Sequence, residues 1–135
     1  GIAVANCHEG VGDNPAKDVL GFLAYERPDL ASTREFDDGG KNAAAKAAAQ
    51  ALARDGVALR AEPDHPVARA TFPPCPDCYG ARVVRPCAPT VANYVHFKIL
   101  SSHNPNEHDD PNVDVHELHA LGVSVPGLTL LLEGT

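Results

Sequence analysis

Apolar residues fall in short runs separated by polar turns, with one long exception. Ile2–Asn6 is short and apolar and predicts a strand. Val19–Tyr25 is apolar enough for a strand or a buried helical turn, and Pro28 ends it. Val67–Phe72 reads as a strand, and Val91–Leu100, which alternates in part, reads as another. The exception is Lys41–Gly56, where alanine recurs along the whole stretch. Alanine has the highest helix propensity, Asn42 is a good N-cap, and Gly56 stands where a C-cap glycine belongs. Weaker patterns predict a strand at Val57–Ala61, a helix from Cys75 to about Val84 and a short helix at Val113–Leu121. A final buried strand is expected at Leu128–Leu132. The connecting segments are polar: Cys7–Pro15, Ser32–Gly40 with its Asp37-Asp38-Gly39-Gly40 turn signal, Glu62–Pro66 and His103–Pro111. From residue 41 onward helix and strand alternate, which argues for one α/β domain, a sheet covered by helices, spanning residues 1–135.

Charge changes the picture unevenly. The net charge is −7, which speaks against a nucleic-acid binder, normally a basic protein. The distribution is not uniform, however. Residues 34–85 carry seven acids and eight bases, whereas residues 99–135 carry six acids and no base. Only the middle third is not repelled by phosphate, and the acidic C-terminal third reads as a solvated face or a surface for a basic partner. No run of apolar residues is long enough to span a membrane, and no signal-peptide pattern opens the chain. Methionine is absent even at residue 1, so the chain reads as processed or as an excised piece of a longer protein.

The chemistry concentrates in Thr71-Phe72-Pro73-Pro74-Cys75-Pro76-Asp77-Cys78-Tyr79. If a helix starts there, Cys75 and Cys78 lie at i and i+3 on its first turn, with both sulfurs at the positive end of the helix dipole. That placement favours thiolates and a soft metal such as zinc. A tetrahedral site needs further ligands, either a third with water or a third and a fourth. Metal chemistry is the first reading of this pair, and a redox or disulfide role the second. Cys7 and Cys87 stay unassigned.

A helix, then a strand that leads into Pro-Cys-x-x-Cys, resembles the zinc-dependent nucleobase (cytidine) deaminase superfamily, over roughly residues 34–135. That family carries His-x-Glu, or Cys-x-Glu, at the start of one helix and Pro-Cys-x-x-Cys at the start of the next. His and two Cys hold zinc, and Glu shuttles protons for the zinc-bound water. The Pro74-Cys75-x-x-Cys78 half matches. The other half does not, because Ala43-Ala44-Ala45 follows Asn42 where His-x-Glu belongs. The resemblance therefore implies that Ala43 replaces the histidine ligand and Ala45 the proton shuttle; the plain alternative is two alanines of an alanine-rich helix. It implies a three-layer fold, a central mixed sheet flanked by helices. Zinc would be held by Cys75 and Cys78 and be weak or absent without the histidine, with a Cys75–Cys78 disulfide under oxidising conditions. Asn42, Phe72 and Tyr79 would border the substrate, although packing is the commoner fate of Phe72 and Tyr79.

By the same resemblance, the activity is hydrolytic deamination of a nucleobase, cytosine ahead of adenine, in single-stranded DNA or RNA or a free nucleoside. It is inactive as written. The setting implied is a bacterial polymorphic toxin, secreted by its producer, acting in the cytoplasm of a target cell and countered by a cognate immunity protein.

Other readings stand beside this one. Cys7-His8-Glu9 also satisfies Cys-x-Glu, but precedes a loop. A small zinc-stabilised binding module would join Cys75 and Cys78 to Cys7 or Cys87 and a histidine, in a closed site without catalysis. A redox Cys-x-x-Cys protein ranks last. His116-Glu117-Leu118-His119 lacks the spacing of a metalloprotease helix. His103 and His108 are expected to be solvated, His65 to border the pocket from a loop, and His96 to be a strand histidine in the core or at the surface.

Overall fold

The computed structural model describes residues 1–12, 14–37, 41–55, 63–104 and 112–124. Its elements are β1 (Ile2–Asn6), β2 (Ala16–Ala24), a 3-10 helix (Leu30–Phe36), α1 (Ala43–Asp55), β3 (Ala68–Thr71), β4 (Arg82–Arg85), β5 (Tyr94–Ser102) and β6 (Val115–Ala120). The class is mixed α/β, as the pattern implied, but the sheets are two. One has the order β4-β1-β6 and the other β3-β2-β5. Every strand pair within them is antiparallel.

The two sheets pack face to face. Ile2 and Val4 of β1 meet Val19 of β2, Ala68 and Ala70 of β3, and Phe72. Val95, Phe97 and Ile99 of β5 close the layer at its side. Close approach requires a glycine here: a Cβ on Gly21 would stand 3.0 Å from the Ile2 side chain. The opposite face of the β3-β2-β5 sheet receives the helices. Leu20 and Phe22 pack against Phe36, Ala45 and Ala49, with Phe22 and Phe36 edge to face at 5.4 Å between ring centroids. β2 is thus covered on both faces. Its nearly continuous apolar run follows from that position and explains why alternation was weak there.

α1 starts as its sequence dictates. The Asn42 side-chain oxygen accepts the amides of Ala44 and Ala45, at 2.9 and 3.4 Å, and the Asn42 carbonyl accepts that of Lys46. The expected C-cap at Gly56, the strand at Val57–Ala61, His108 and the strand at Leu128–Leu132 lie outside the described residues. So do residues 38–40 of the expected turn and 105–111 of the expected loop. Among the described residues no helix is long and apolar enough to cross a membrane.

Two expected helices are not helices. Val113–Leu121 supplies the strand β6, because β1 has two edges whose backbone groups need partners and this stretch serves one of them, from Ile2↔Ala120 to Asn6↔Val115. The helix expected from Cys75 to Val84 is a turn followed by β4, which serves the other edge, from Ile2↔Arg85 to Ala5↔Arg82. Pro73, Pro74 and Pro76 remove three amides from that turn, and Gly80 closes it at φ +67°.

On the helix-facing side of β5, His96 lies against Phe22 with ring centroids 5.6 Å apart, and its Nδ1 is buried without a hydrogen-bond partner. Burial, and then the Lys98 ammonium, hold its pKa below the ordinary histidine value. A lowered folded pKa means that the unfolded chain takes up this proton first. Stability contributed by neutral His96 is present above the unfolded pKa and is lost as pH falls from about 6.5 through the lowered value. Denaturant titrations between pH 7.5 and 5 are expected to show that loss, and His96→Phe to remove it. An unchanged slope in the variant would assign the pH dependence elsewhere.

Candidate functional site

The cysteine turn is anchored from β1. Asn6, 2% exposed, donates from Nδ2 to the carbonyls of Cys78 (3.2 Å) and Ala16 (3.0 Å), and its Oδ1 accepts the Ala16 amide at 2.9 Å. The Asn6 amide donates to Ala81, and the Gly80 amide to the Cys7 carbonyl, both at 2.9 Å. The His8 ring lies over Gly80: a Cβ there would come within 2.6 Å of Nδ1, and the positive φ of +67° favours glycine. Upstream, the His103 ring nitrogen Nε2 is hydrogen-bonded to the Phe72 carbonyl at 3.2 Å. His103, expected in solvent, is half-buried and borders the entrance to the turn. Its backbone amide on the Pro15 carbonyl brings it there, a pairing no local pattern discloses.

Cys75 and Cys78 are joined as a disulfide, with S–S 2.00 Å. Cys75 is exposed and Cys78 is fully buried. Bonded to each other, these sulfurs offer no thiolate to a metal, and among the described residues no group of three histidine, cysteine or acidic side chains is placed to hold one. Zinc at this pair would need the bond reduced first. Cys7 and Cys87 are free, half-buried thiols. Cys7 adjoins the turn through its carbonyl, whereas Cys87 lines a separate open cleft of about 890 Å³ with Val91, Leu121 and Val123.

The other expected site residues are divided among these layers. Ala43 is exposed on the first turn of α1, and Ala45 is 1% exposed in the cluster with Leu20, Phe22 and Phe36. Phe72 is 3% exposed between the sheets, Tyr79 is half-buried in the cysteine turn, and Asn42 is the helix cap. His65 is half-buried and lies 3.0 Å from Asp64.

A second cluster forms beside the start of α1. Lys41, Lys46 and Gln50, with Asp18 of β2 and Arg69 of β3, line a cleft of about 460 Å³. Arg69 is set firmly: Nε and Nη2 donate to Asp18 Oδ1 at 3.2 and 2.8 Å, and Nη1 donates to the Ala49 carbonyl at 3.2 Å. Two of its five N–H groups remain for a ligand. Among the described residues neither lysine has an ion-pair partner. Among the described residues that line it, three cations face one carboxylate, in a chain of net charge −7. The strand and helix spacing that brings Asp18, Lys46 and Arg69 together is tertiary, so sequence reading named none of them as a site.

Comparison with known proteins finds no relative: no family model, no curated protein and no solved structure matches the chain.

Proposed function

We propose that the chain binds a phosphate-bearing ligand, a nucleotide or one nucleotide unit of a single strand, in the cleft beside α1, and does not itself catalyse a reaction there. One observation carries this reading: Lys41, Lys46 and Arg69 converge on one cleft in an otherwise acidic protein. The volume suits a mononucleotide. Arg69 presents a fixed planar donor group, and the two lysines are mobile point charges that adapt to phosphate. Lys41 and Lys46 are exposed, so their attraction is screened and affinity falls with salt.

The test is fluorescence anisotropy with labelled single-stranded DNA and RNA, and displacement by nucleoside triphosphate and inorganic phosphate. Lys46→Glu, alone and with Lys41→Glu, is expected to weaken binding at least tenfold at low salt. The fold should survive, because an acid in the first turns of α1 suits the helix dipole. Arg85→Glu makes the same charge change on the other sheet and is expected to alter affinity far less. Equal losses in Lys46→Glu and Arg85→Glu, or no binding by the parent chain, would overturn the reading. Phosphate displacing as well as a nucleotide would reduce it to an anion site.

A second reading is favoured by the placement of α1, capped by Asn42, with β3 leading into Pro74-Cys75. It keeps the deaminase resemblance: a scaffold that lost its ligand and proton shuttle at Ala43 and Ala45, binding nucleobases without converting them. Zinc, the toxin setting and the immunity protein belong to that reading alone. It requires a reduced Cys75–Cys78 pair before any metal can bind.

A further inference from the structure

We propose that the Cys75–Cys78 disulfide is an exchange centre that oxidises a dithiol partner and is entered at Cys75. The proposal is independent of the ligand cleft. It rests on the unequal exposure of the two cysteines and on the backbone anchoring of one of them. Cys78 is fully buried, and its carbonyl is held by Asn6. Two residues on, Gly80 is held by Cys7 and overlaid by His8. Cys75 lies on the open side of the turn, where Pro73 to Asp77 are all exposed. An attacking thiolate must approach a sulfur along the S–S axis, from the side away from its partner, so access decides which sulfur is attacked. Of the two residues, Cys75 is exposed and Cys78 is fully buried.

One thiolate of the partner attacks Cys75 Sγ, forms a mixed disulfide with it, and breaks the Cys75–Cys78 bond. Cys78 leaves with the electron pair and takes a proton from solvent. The partner's second thiolate then attacks its own sulfur in the mixed disulfide and closes the partner's disulfide. Cys75 leaves with the electron pair and likewise takes a proton from solvent. Two electrons have passed from the dithiol to this chain, and the turn holds two thiols. Asp77 lies between the cysteines and the chain is acidic overall, so the partner fitted to this centre is a dithiol on a neutral or basic carrier.

The tryptic peptide from Ala70 to Arg82 contains Cys75 and Cys78 and neither Cys7 nor Cys87, so the wild-type chain can be used. Native protein is treated with dithiothreitol, or with reduced glutathione, acid-quenched, digested and mapped by mass. Dithiothreitol at millimolar concentration is expected to reduce the bond without denaturant, one equivalent oxidised per chain. The trapped glutathione adduct should sit on Cys75 at least tenfold more than on Cys78. As a second measurement, read on the Ala70–Arg82 peptide so that Cys7 and Cys87 do not contribute, Cys75 in Cys78→Ser is expected to react with an aromatic disulfide at least tenfold faster than Cys78 in Cys75→Ser. A bond that resists dithiothreitol until the chain is unfolded in urea would overturn the proposal. So would an adduct shared equally between the sulfurs, or equal rates in the two variants.

Discussion

Ala45→Glu is expected to remove about 3 kcal/mol or more of folding stability at neutral pH, read as a fall in the urea midpoint. Ala45 is 1% exposed, packed by Leu20, Phe22, Phe36 and Ala49. None of these offers a side-chain donor. A glutamate there must overpack the layer between α1 and the β3-β2-β5 sheet, bury an unpaired carboxylate, or pull the helix away. Total stability of a domain this size is about 5–15 kcal/mol, so the loss is a large share of it. Ala43→His, on an exposed position of the same turn, is expected to be nearly neutral. This pair of variants also separates the two functional readings. A deaminase scaffold stripped of its chemistry would accept histidine and glutamate together, bind one zinc after reduction of the disulfide, and convert cytosine or adenine. The packing around Ala45 gives the opposite expectation: the double variant is destabilised by the glutamate alone and deaminates neither base. Conversion with near-parental stability would transfer the argument to the deaminase reading.

Why β1, β3, β5 and α1 could be read from sequence, and β2 as a strand or a buried helical turn, is a matter of locality. Each is specified by its own run of side chains: Ile2 to Val4, Val19 to Phe22, Val67 to Phe72, Val91 to Leu100, and alanines behind an Asn42 cap. The misreadings at Cys75–Val84 and Val113–Leu121 share one cause. Both stretches are short and weakly patterned, and both are recruited by β1, whose two edges need partners distant in sequence. Local helical spacing cannot compete with hydrogen bonds that become available only when the sheet assembles. The Cys-x-x-Cys spacing marked the cysteine turn, but not which of its two cysteines is exposed. The buried one, Cys78, is held through its carbonyl by Asn6, 72 residues away. The basic cleft was hidden for the same reason: Arg69 and Asp18 meet across 51 residues, and only the middle-third charge balance hinted at it.

Asn6→Ala is expected to destabilise the chain by roughly 3 kcal/mol, an effect out of proportion to the size of the side chain. Asn6 occupies the end of β1, where the register shifts between Ala5 and Asn6. Its amide takes the place of a neighbouring strand, serving the N–H and C=O of Ala16 and the C=O of Cys78. Alanine leaves all three backbone groups without that partner in a buried position, at about 1–3 kcal/mol for each that finds no substitute. Asn6→Asp is a sharper probe because it preserves shape. One carboxylate oxygen can still accept the Ala16 amide, but the other faces two carbonyls and cannot donate. Burial and those carbonyls would raise the folded pKa of the new acid above its unfolded value. An acid with a raised folded pKa destabilises above that pKa and less so as pH falls through it, so Asn6→Asp should regain stability on moving from pH 7 to pH 4.5 whereas Asn6→Ala should not. The same variants reach the chemistry of the turn. Without the Asn6 amide the Cys78 segment loses its anchor, and the tenfold preference of glutathione for Cys75 should narrow. If urea unfolding shows Asn6→Ala within 1 kcal/mol of the parent and the preference is intact, the turn is held by Gly80 on Cys7 rather than by Asn6 on Cys78.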